Sequence, residues 1–256
     1  MYAEERQHEI ADLAHVRGRV SVAELALQFE VTSETIRRDL DSLAGRGLVS
    51  RVHGGAIPVE RARLVESGVS AREAEKATEK QRIAEAAVAF LPRGEDATVL
   101  LDAGTTVGRL ADLLPPARVT TVVTNCLHTA ATISSRSRAE VMLVGGRVRG
   151  ITQAAVGSAT VDALRDMRVD VAFVGANGFT AEHGFSTPDP AEGAVKRAMV
   201  GCARRVIVLA DASKFGSEYL VSFAKVTDVD VLITDRTFPL TARQSLIELG
   251  IEVVLA

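Results

Sequence analysis

Several short polar runs in the C-terminal two-thirds of the chain carry residue types that bind anions. The sharpest is Asp102-Ala103-Gly104-Thr105-Thr106, which follows an apolar run and precedes a helical pattern beginning near Val107. A helix N-terminus offers unpaired backbone N–H groups and the positive end of the peptide dipoles, and a glycine there lets a ligand approach the backbone. Gly104, Thr105 and Thr106 therefore form a candidate phosphate cradle. The same residues also suit an ordinary helix start with Thr105 or Thr106 as its cap. Asp102 repels a phosphate, so its expected role is to accept hydrogen bonds from sugar hydroxyls or to fix the loop. Lys214, in Asp211-Ala212-Ser213-Lys214-Phe215, can pair with an anion as a point charge, although a solvated surface is the commoner place for a lysine. Thr124-Asn125-Cys126, Gly145-Gly146-Arg147, Gly175-Ala176-Asn177-Gly178 and Thr234-Asp235 are further polar segments that end apolar runs.

The same segments admit an enzyme. Sugar-phosphate isomerisation needs a carboxylate base beside a carbonyl and a cation or donor to hold the enediolate. Asp170, Asp189, Glu192, Lys196 and Lys214 are candidate parts. Glu192 and Lys196 stand i, i+4 on one helical segment and read first as a surface ion pair, second as a ligand contact. Cys126 reads as a buried small residue rather than a thiol sensor. The two cysteines and five histidines show no metal-ligand spacing and no disulfide framework. No metal or cofactor is expected, and a reduced cytoplasmic protein is the plain reading.

A second chemistry lies near the N-terminus, in Thr32-Ser33-Glu34-Thr35-Ile36-Arg37-Arg38-Asp39-Leu40. Ile36, Leu40 and Leu43 have the spacing of a buried helical stripe. Thr32 or Ser33 can cap the start. Ser33, Thr35, Arg37 and Arg38 fall off the stripe and present hydroxyls and guanidiniums, the groups a recognition helix offers to base edges and phosphates. The competing account is a solvated face, with Arg37 and Arg38 within a turn of Asp41.

Elements must position these residues. Ser21-Val22-Ala23-Glu24 is a capping-box pattern that opens a short helix through about Phe29, with only Glu30 and Val31 before the recognition stretch. Two short helices about so tight a turn make a helix-turn-helix. A further amphipathic helix precedes them, from Glu4 to about Val16. After Gly45-Arg46-Gly47, residues Leu48–Ile57 read as two strands about a Gly-Gly turn, a wing that can place Arg51 near a phosphate with His53 on the same face. Residues 58–73 read as a linker, and a helix from about Ala74 to Leu91 follows, with Lys76, Lys80 and Arg82 outside. Beyond it, seven apolar runs (Thr98–Asp102, Thr120–Thr124, Val141–Val144, Val171–Val174, Arg205–Ala210, Asp230–Thr234, Ile251–Leu255) alternate with helical segments. Continuous apolar runs are the mark of strands covered on both faces, as in a parallel sheet. The expectation is α/β, with a winged-helix unit over residues 1–57 and a Rossmann-like layered parallel sheet over 74–256. Ligands of such sheets bind beyond the carboxyl ends of the strands, where Asp102, Thr124, Asn125, Gly145, Gly146 and Lys214 stand.

The run TSETIRRDL followed by RVHGGA resembles the DeoR family of bacterial transcriptional regulators. DAGTT, TN, GG, the segment 178–184, DASKF and ITD continue the likeness through the second half, so it covers nearly the whole chain. The resemblance implies duplex operator DNA as partner, a sensor domain similar in fold to ribose-5-phosphate isomerase and coenzyme A transferases, and a phosphorylated sugar as effector, held by Gly104, Thr105, Thr106, Asn125, Gly146 and Lys214. It also implies a homo-oligomer. Where ribose-5-phosphate isomerases have acids after a Gly-Ala pair, this chain has Asn177 and Gly178, which cannot serve as a general base. A regulator is therefore expected, most readily a repressor, with an isomerase carrying a DNA-binding appendage as the alternative.

Charge runs against a simple DNA-binding footprint. The chain is formally −3, and residues 1–60 hold seven arginines, no lysine and ten acids. Positive charge is only local, so useful affinity requires several copies on repeated half-sites. No apolar run is long enough to cross a membrane, and Met1–Arg6 has no apolar core for a signal peptide.

Overall fold

The computed structural model describes residues 3–46, 48–52, 54–58, 68–94, 96–115, 119 and 121–256. The chain divides into two units, Met1–Glu66 and Ser67–Ala256.

In the first unit the stripe Ile36, Leu40 and Leu43 is fully buried against Ile10, Ala14 and Leu25. Burying each leucine stabilises by roughly 1.5–3 kcal/mol, and so few apolar side chains make every one of them matter. The elements are α1 (Ala3–Arg17), β1 (Val20–Ser21), α2 (Val22–Gln28), α3 (Ser33–Gly45), β2 (Val49–Val52) and β3 (Gly55–Pro58). The Ser21 hydroxyl accepts from the Glu24 N–H at 3.1 Å and starts α2. Glu30 turns the chain at φ 52°. Thr32, not Ser33, caps α3, accepting from the Thr35 N–H at 3.2 Å. Asp39 is buried: its carboxylate takes Arg6 Nε at 2.6 Å and Gln7 Nε2 at 3.0 Å, tying α3 to α1. The wing is the expected hairpin, joined by a strand that the sequence hid. The two residues of β1 pair with β3, and a Cβ on Gly55 would stand 1.9 Å from the Val20 carbonyl oxygen. Gly54, at φ 74°, makes the turn. The Gly-Gly pair thus serves a bend and a close approach.

The second unit is a seven-stranded parallel sheet with the strand order β15-β14-β12-β9-β4-β5-β6. The seven apolar runs supply all of it: β4 (Thr98–Leu101), β5 (Thr121–Thr124), β6 (Glu140–Leu143), β9 (Val169–Gly175), β12 (Ala203–Leu209), β14 (Val231–Thr234) and β15 (Glu252–Leu255). Separate apolar clusters cover its two faces, one around Leu100, Val174, Val208 and Leu232, the other around Val99, Phe173, Ile207 and Ile233. Burial on both sides is why these strands read as unbroken apolar runs. The crossover helices are α6 (Thr105–Asp112), α7 (Leu127–Arg136), α8 (Ser158–Arg165), α9 (Pro190–Cys202) and α10 (Leu240–Glu248).

Three expectations need correction. Residues 69–73, assigned to the linker, belong to helix α4 (Val69–Ala74), and α5 (Ala77–Ala87) begins only after Lys76 adopts φ 52°. Lys80, placed outside, is buried on α5 at 3% exposure. The expected parallel sheet also comes with antiparallel pieces, each too short to show an alternation in the sequence. They are the hairpin of β7 (Arg147–Arg149) with β8 (Ala154–Val156), and a sheet of β10 (Gly178–Thr180), β11 (Gly184–Thr187) and β13 (Val221–Ala224). Phe179 and Phe185 of that sheet stack at 5.4 Å between ring centroids. Phe215 joins them, 5.6 Å from Phe179 and 5.2 Å edge-on to Phe238.

Candidate functional site

The carboxyl ends of β4, β9 and β12 open onto a small cavity of about 50 Å³ lined by Arg72, Lys80, Gly104, Thr105, Thr106 and Lys214, among others. A second cavity of about 240 Å³ shares Arg72, Gly104 and Thr105 and is walled by Arg109, Cys126, His128, Thr129, Thr152 and Gln153. Both meet at the start of α6. Its cap is Gly104, and no side chain bonds the free N–H groups, so the alternative of a threonine cap does not hold. Gly104 has an ordinary extended backbone at φ −172°, and a Cβ there would meet nothing within 4 Å. The fold does not require glycine at this position. What glycine leaves is open space in front of a helix N-terminus, where an anion is favoured.

Cations converge on that space. Asp211 caps the turn Ala212–Lys214 by accepting from the Ser213 N–H at 3.2 Å, and Phe215, in its aromatic cluster, anchors the far side. Lys214 is thereby held at the cavity. Lys80 Nζ donates to the Arg72 carbonyl. Burial, and then the repulsion of Lys214, push the Lys80 amine below the usual lysine range. Burying an ammonium beside another cation is unfavourable unless an anion joins them. Arg72 itself has a buried Nε with no partner among the described residues. Helix α4, expected in a linker, thus forms part of the pocket wall, and the Arg109 guanidinium bonds the Glu73 carbonyl at 3.4 Å.

The four candidate carboxylates, Asp102, Glu192, Asp189 and Asp170, are all engaged. Asp102 is buried and ion-paired with Lys196, and it accepts from the Gly175 N–H at 3.0 Å. Of its two expected roles it has the second: it fixes the loop, and it is not exposed to a ligand. Burial raises its carboxyl, opposed by Lys196. Glu192 and Lys196 are not a surface pair. Both are buried, and Glu192 instead takes Arg149 and the Thr152 hydroxyl, each at 2.5 Å. Asp189 caps α9 and pairs with Arg149 at 3.3 Å. Asp170 stands at the opposite end of the sheet, where the Thr98 N–H and hydroxyl, at 3.0 and 2.8 Å, hold it below the usual carboxylate range. None of these groups is placed as a free base.

Four other expected ligand contacts, Thr124, Asn125, Gly145 and Gly146, line neither cavity. Thr124 is fully buried, its hydroxyl accepting from the Cys126 N–H at 3.1 Å. Asn125 is buried and donates to the Ala155 carbonyl at 3.0 Å, joining β5 to the β7–β8 hairpin. The Gly145 carbonyl accepts from the Thr160 hydroxyl at 2.8 Å, and a Cβ on Gly146 would lie 2.1 Å from that hydroxyl. These strand ends build the rim. Gly104, Thr105, Thr106 and Lys214 reach the cavity, as do Arg72, Lys80 and His128, which the sequence reading did not select. Lys80 and His128 sit in helices where nothing in sequence distinguishes a wall from a solvated face.

On the other unit, Arg37 and Arg38 are exposed and share Glu34, at 3.5 and 3.7 Å. Exposed pairs of this kind contribute about 0–1 kcal/mol and exchange readily for phosphate. Asp41 pairs instead with Arg51 of β2, at 3.1 Å, linking wing and helix. Ser33 is exposed and Thr35 half-buried, with the Thr32 and Thr35 hydroxyls 2.9 Å apart. His53 lies outside the described residues.

A winged helix-turn-helix followed by an α/β unit with a strand-end pocket defines a class, the DNA-binding regulator with a sensor domain. Residues 6–62 match the DeoR-like helix-turn-helix domain, and residues 75–236 match the DeoR C terminal sensor domain. The chain is 36% identical over 236 residues to the uncharacterized HTH-type transcriptional regulator FruR of Bacillus subtilis (strain 168), covering 92% of each. It is 32% identical over 255 residues to the glycerol-3-phosphate regulon repressor of Escherichia coli (strain K12), covering 98% of each. A solved structure it resembles is that of the probable sor operon regulator from Shigella flexneri (TM-score 0.47, 13% identity, 72% of this chain and 92% of that one). The chain belongs to the DeoR family of transcriptional regulators; it is a regulator and not an enzyme. Among the described residues no helix is long and apolar enough to cross a membrane.

Proposed function

We propose that this regulator is a cytoplasmic repressor of a carbohydrate-metabolism operon, homo-oligomeric, and released or modulated by a phosphorylated sugar or related metabolite. Residues 1–57 bind duplex operator, with Ser33, Thr35, Arg37 and Arg38 in the major groove and Arg51 on the backbone. The effector's phosphate sits before Gly104, Thr105 and Thr106, against Lys80, Lys214 and Arg72, and its hydroxyls extend toward His128 and Gln153. One observation carries the reading: two lysines and an arginine line the cavity at the uncapped start of α6, while the carboxylates of Asp102 and Glu192 beside it are held in ion pairs. The names of the relatives, a glycerol-3-phosphate regulon repressor among them, agree with it. DNA and effector then change each other's affinity by the same factor.

The test is a panel of sugar phosphates against the purified protein, read by thermal stability and followed by a search for turnover. A phosphorylated ligand that raises the melting temperature and is not consumed is the expected result. Stabilisation by none of the panel sinks the effector assignment. Arg38→Ala is expected to weaken operator binding by about 1–3 kcal/mol, roughly 5- to 150-fold, and to leave the effector-induced thermal shift unchanged. Unaltered operator affinity in a gel-shift titration removes α3 from the DNA interface.

A further inference from the structure

The free edge of the large sheet is built differently at its two ends. At one end β15 buries Val253, and Glu252 is ion-paired with Arg205 at 3.3 Å. At the other end, among the described residues, β6 pairs only with β5. Its side chains are open: Met142 is 46% and Leu143 44% exposed. Val141 packs on the face covered by α7, with Ile133, so by alternation Leu143 shares that face and Met142 stands on the other. Both faces of the edge are therefore partly bare. The adjoining β7–β8 hairpin adds exposed Val148 and Ile151. Of the twelve large apolar side chains exposed among the described residues, four fall between Met142 and Ile151.

An unpaired strand with apolar side chains is a template for another chain, and proteins normally blunt it with lysine, proline, a bulge or a covering element. The segment Val141–Leu143 has no charge and no proline. What covers it can be argued from charge. Glu140 and Arg147 are exposed, one at the amino end of β6 and the other four residues beyond its carboxyl end, where it opens β7. In an antiparallel pairing about a two-fold axis, the amino end of each strand lies beside the carboxyl end of the other. The edge is then complementary to itself, as an isologous interface requires.

We propose that a second copy of this chain pairs with β6 antiparallel across a two-fold axis, burying Met142, Leu143, Val148 and Ile151 and setting Glu140 of each copy against Arg147 of the other. The two large sheets become one continuous sheet. The proposal rests on the oligomeric reading above and names the surface that makes it.

The experiment is sedimentation velocity on the full-length chain from about 0.1 to 50 μM, a range spanning the dissociation constants of modest interfaces. Glu140→Arg and Arg147→Glu are each expected to weaken association by at least about tenfold, because each creates two like-charge contacts per interface. The double variant E140R/R147E restores association to within about threefold, since the pair is only reversed. Met142→Glu dissociates the assembly. Melting temperatures of the isolated subunits stay close to one another, because all three substituted positions are exposed. An oligomeric wild type whose mass is unaffected by the variants overturns the β6 surface and leaves the oligomeric reading intact. A wild type that is monomeric throughout overturns both. Single reversals that dissociate without rescue in the double variant overturn the two-fold pairing of Glu140 with Arg147.

Discussion

Lys196→Met is expected to destabilise the sensor unit by about 3–5 kcal/mol, the loss typical of breaking a buried ion pair from one side. Lys196 is 4% exposed and holds both the Asp102 carboxylate and the Gly175 carbonyl, the latter at 2.9 Å. Methionine fills much of the volume, so the loss is electrostatic, and Asp102 is left as an uncompensated buried carboxyl. Burial already raises that group, and removing Lys196 takes away the interaction that opposes the rise. The sign of the pH dependence follows. The folded variant retains a proton on Asp102 that the unfolded chain has released, so stability falls as pH rises from the ordinary aspartate range through the raised folded value. The variant is thus closest to wild type in mild acid and most impaired at neutral and alkaline pH. Chemical denaturation of both proteins across that range reads the effect directly. A pH-independent difference means that Asp102 carries no charge in the wild type. The double variant Asp102→Asn, Lys196→Met is expected to recover much of the loss, because no charge remains buried.

Lys80→Met is expected to separate ligand binding from stability. The amine of Lys80 is destabilised as a cation by burial and by Lys214. Removing it deletes the bond to the Arg72 carbonyl but also a desolvated charge, so the melting temperature without ligand changes little. A phosphorylated effector loses a charge-assisted hydrogen bond worth about 1.5–3 kcal/mol, roughly a 10- to 150-fold weakening. An anion beside Lys80 restores its proton, so in the wild type binding takes up protons where the free pocket has partly lost them. Affinity therefore falls as pH rises through the lowered Lys80 range, and this fall is absent from Lys80→Met. Titrations at several pH values, with thermal stability as the companion measurement, check both halves. Full effector affinity in the variant moves the phosphate away from Lys80.

The two sites were unequally legible. The parallel sheet could be read because strands buried on both faces leave unbroken apolar runs, and each of the seven runs from Thr98 to Leu255 became a strand. The recognition helix could be read because Ile36, Leu40 and Leu43 fix one face and so expose Arg37 and Arg38. The pocket was legible only where a local motif makes it, at Gly104 to Thr106 and at Lys214. Arg72 and Lys80 enter from helices remote in sequence from the strand ends, and a lysine facing inward has the same spacing as one facing water. Thr124, Asn125, Gly145 and Gly146 misled for the converse reason: polar and small residues at strand ends also knit the rim, and only their partners in the fold distinguish the two uses. Asp102 and Glu192 are similar cases, acids whose partners, Lys196 and Arg149, could not be paired from sequence.

The backbone at Gly104 is extended and unstrained, with empty space where a side chain would stand. Foldability and ligand choice are therefore uncoupled at this residue. On the proposed reading, a larger residue here would close the space before α6 to a phosphate while leaving the fold intact. What the sensor admits could thus change at one position without rebuilding the sheet behind it.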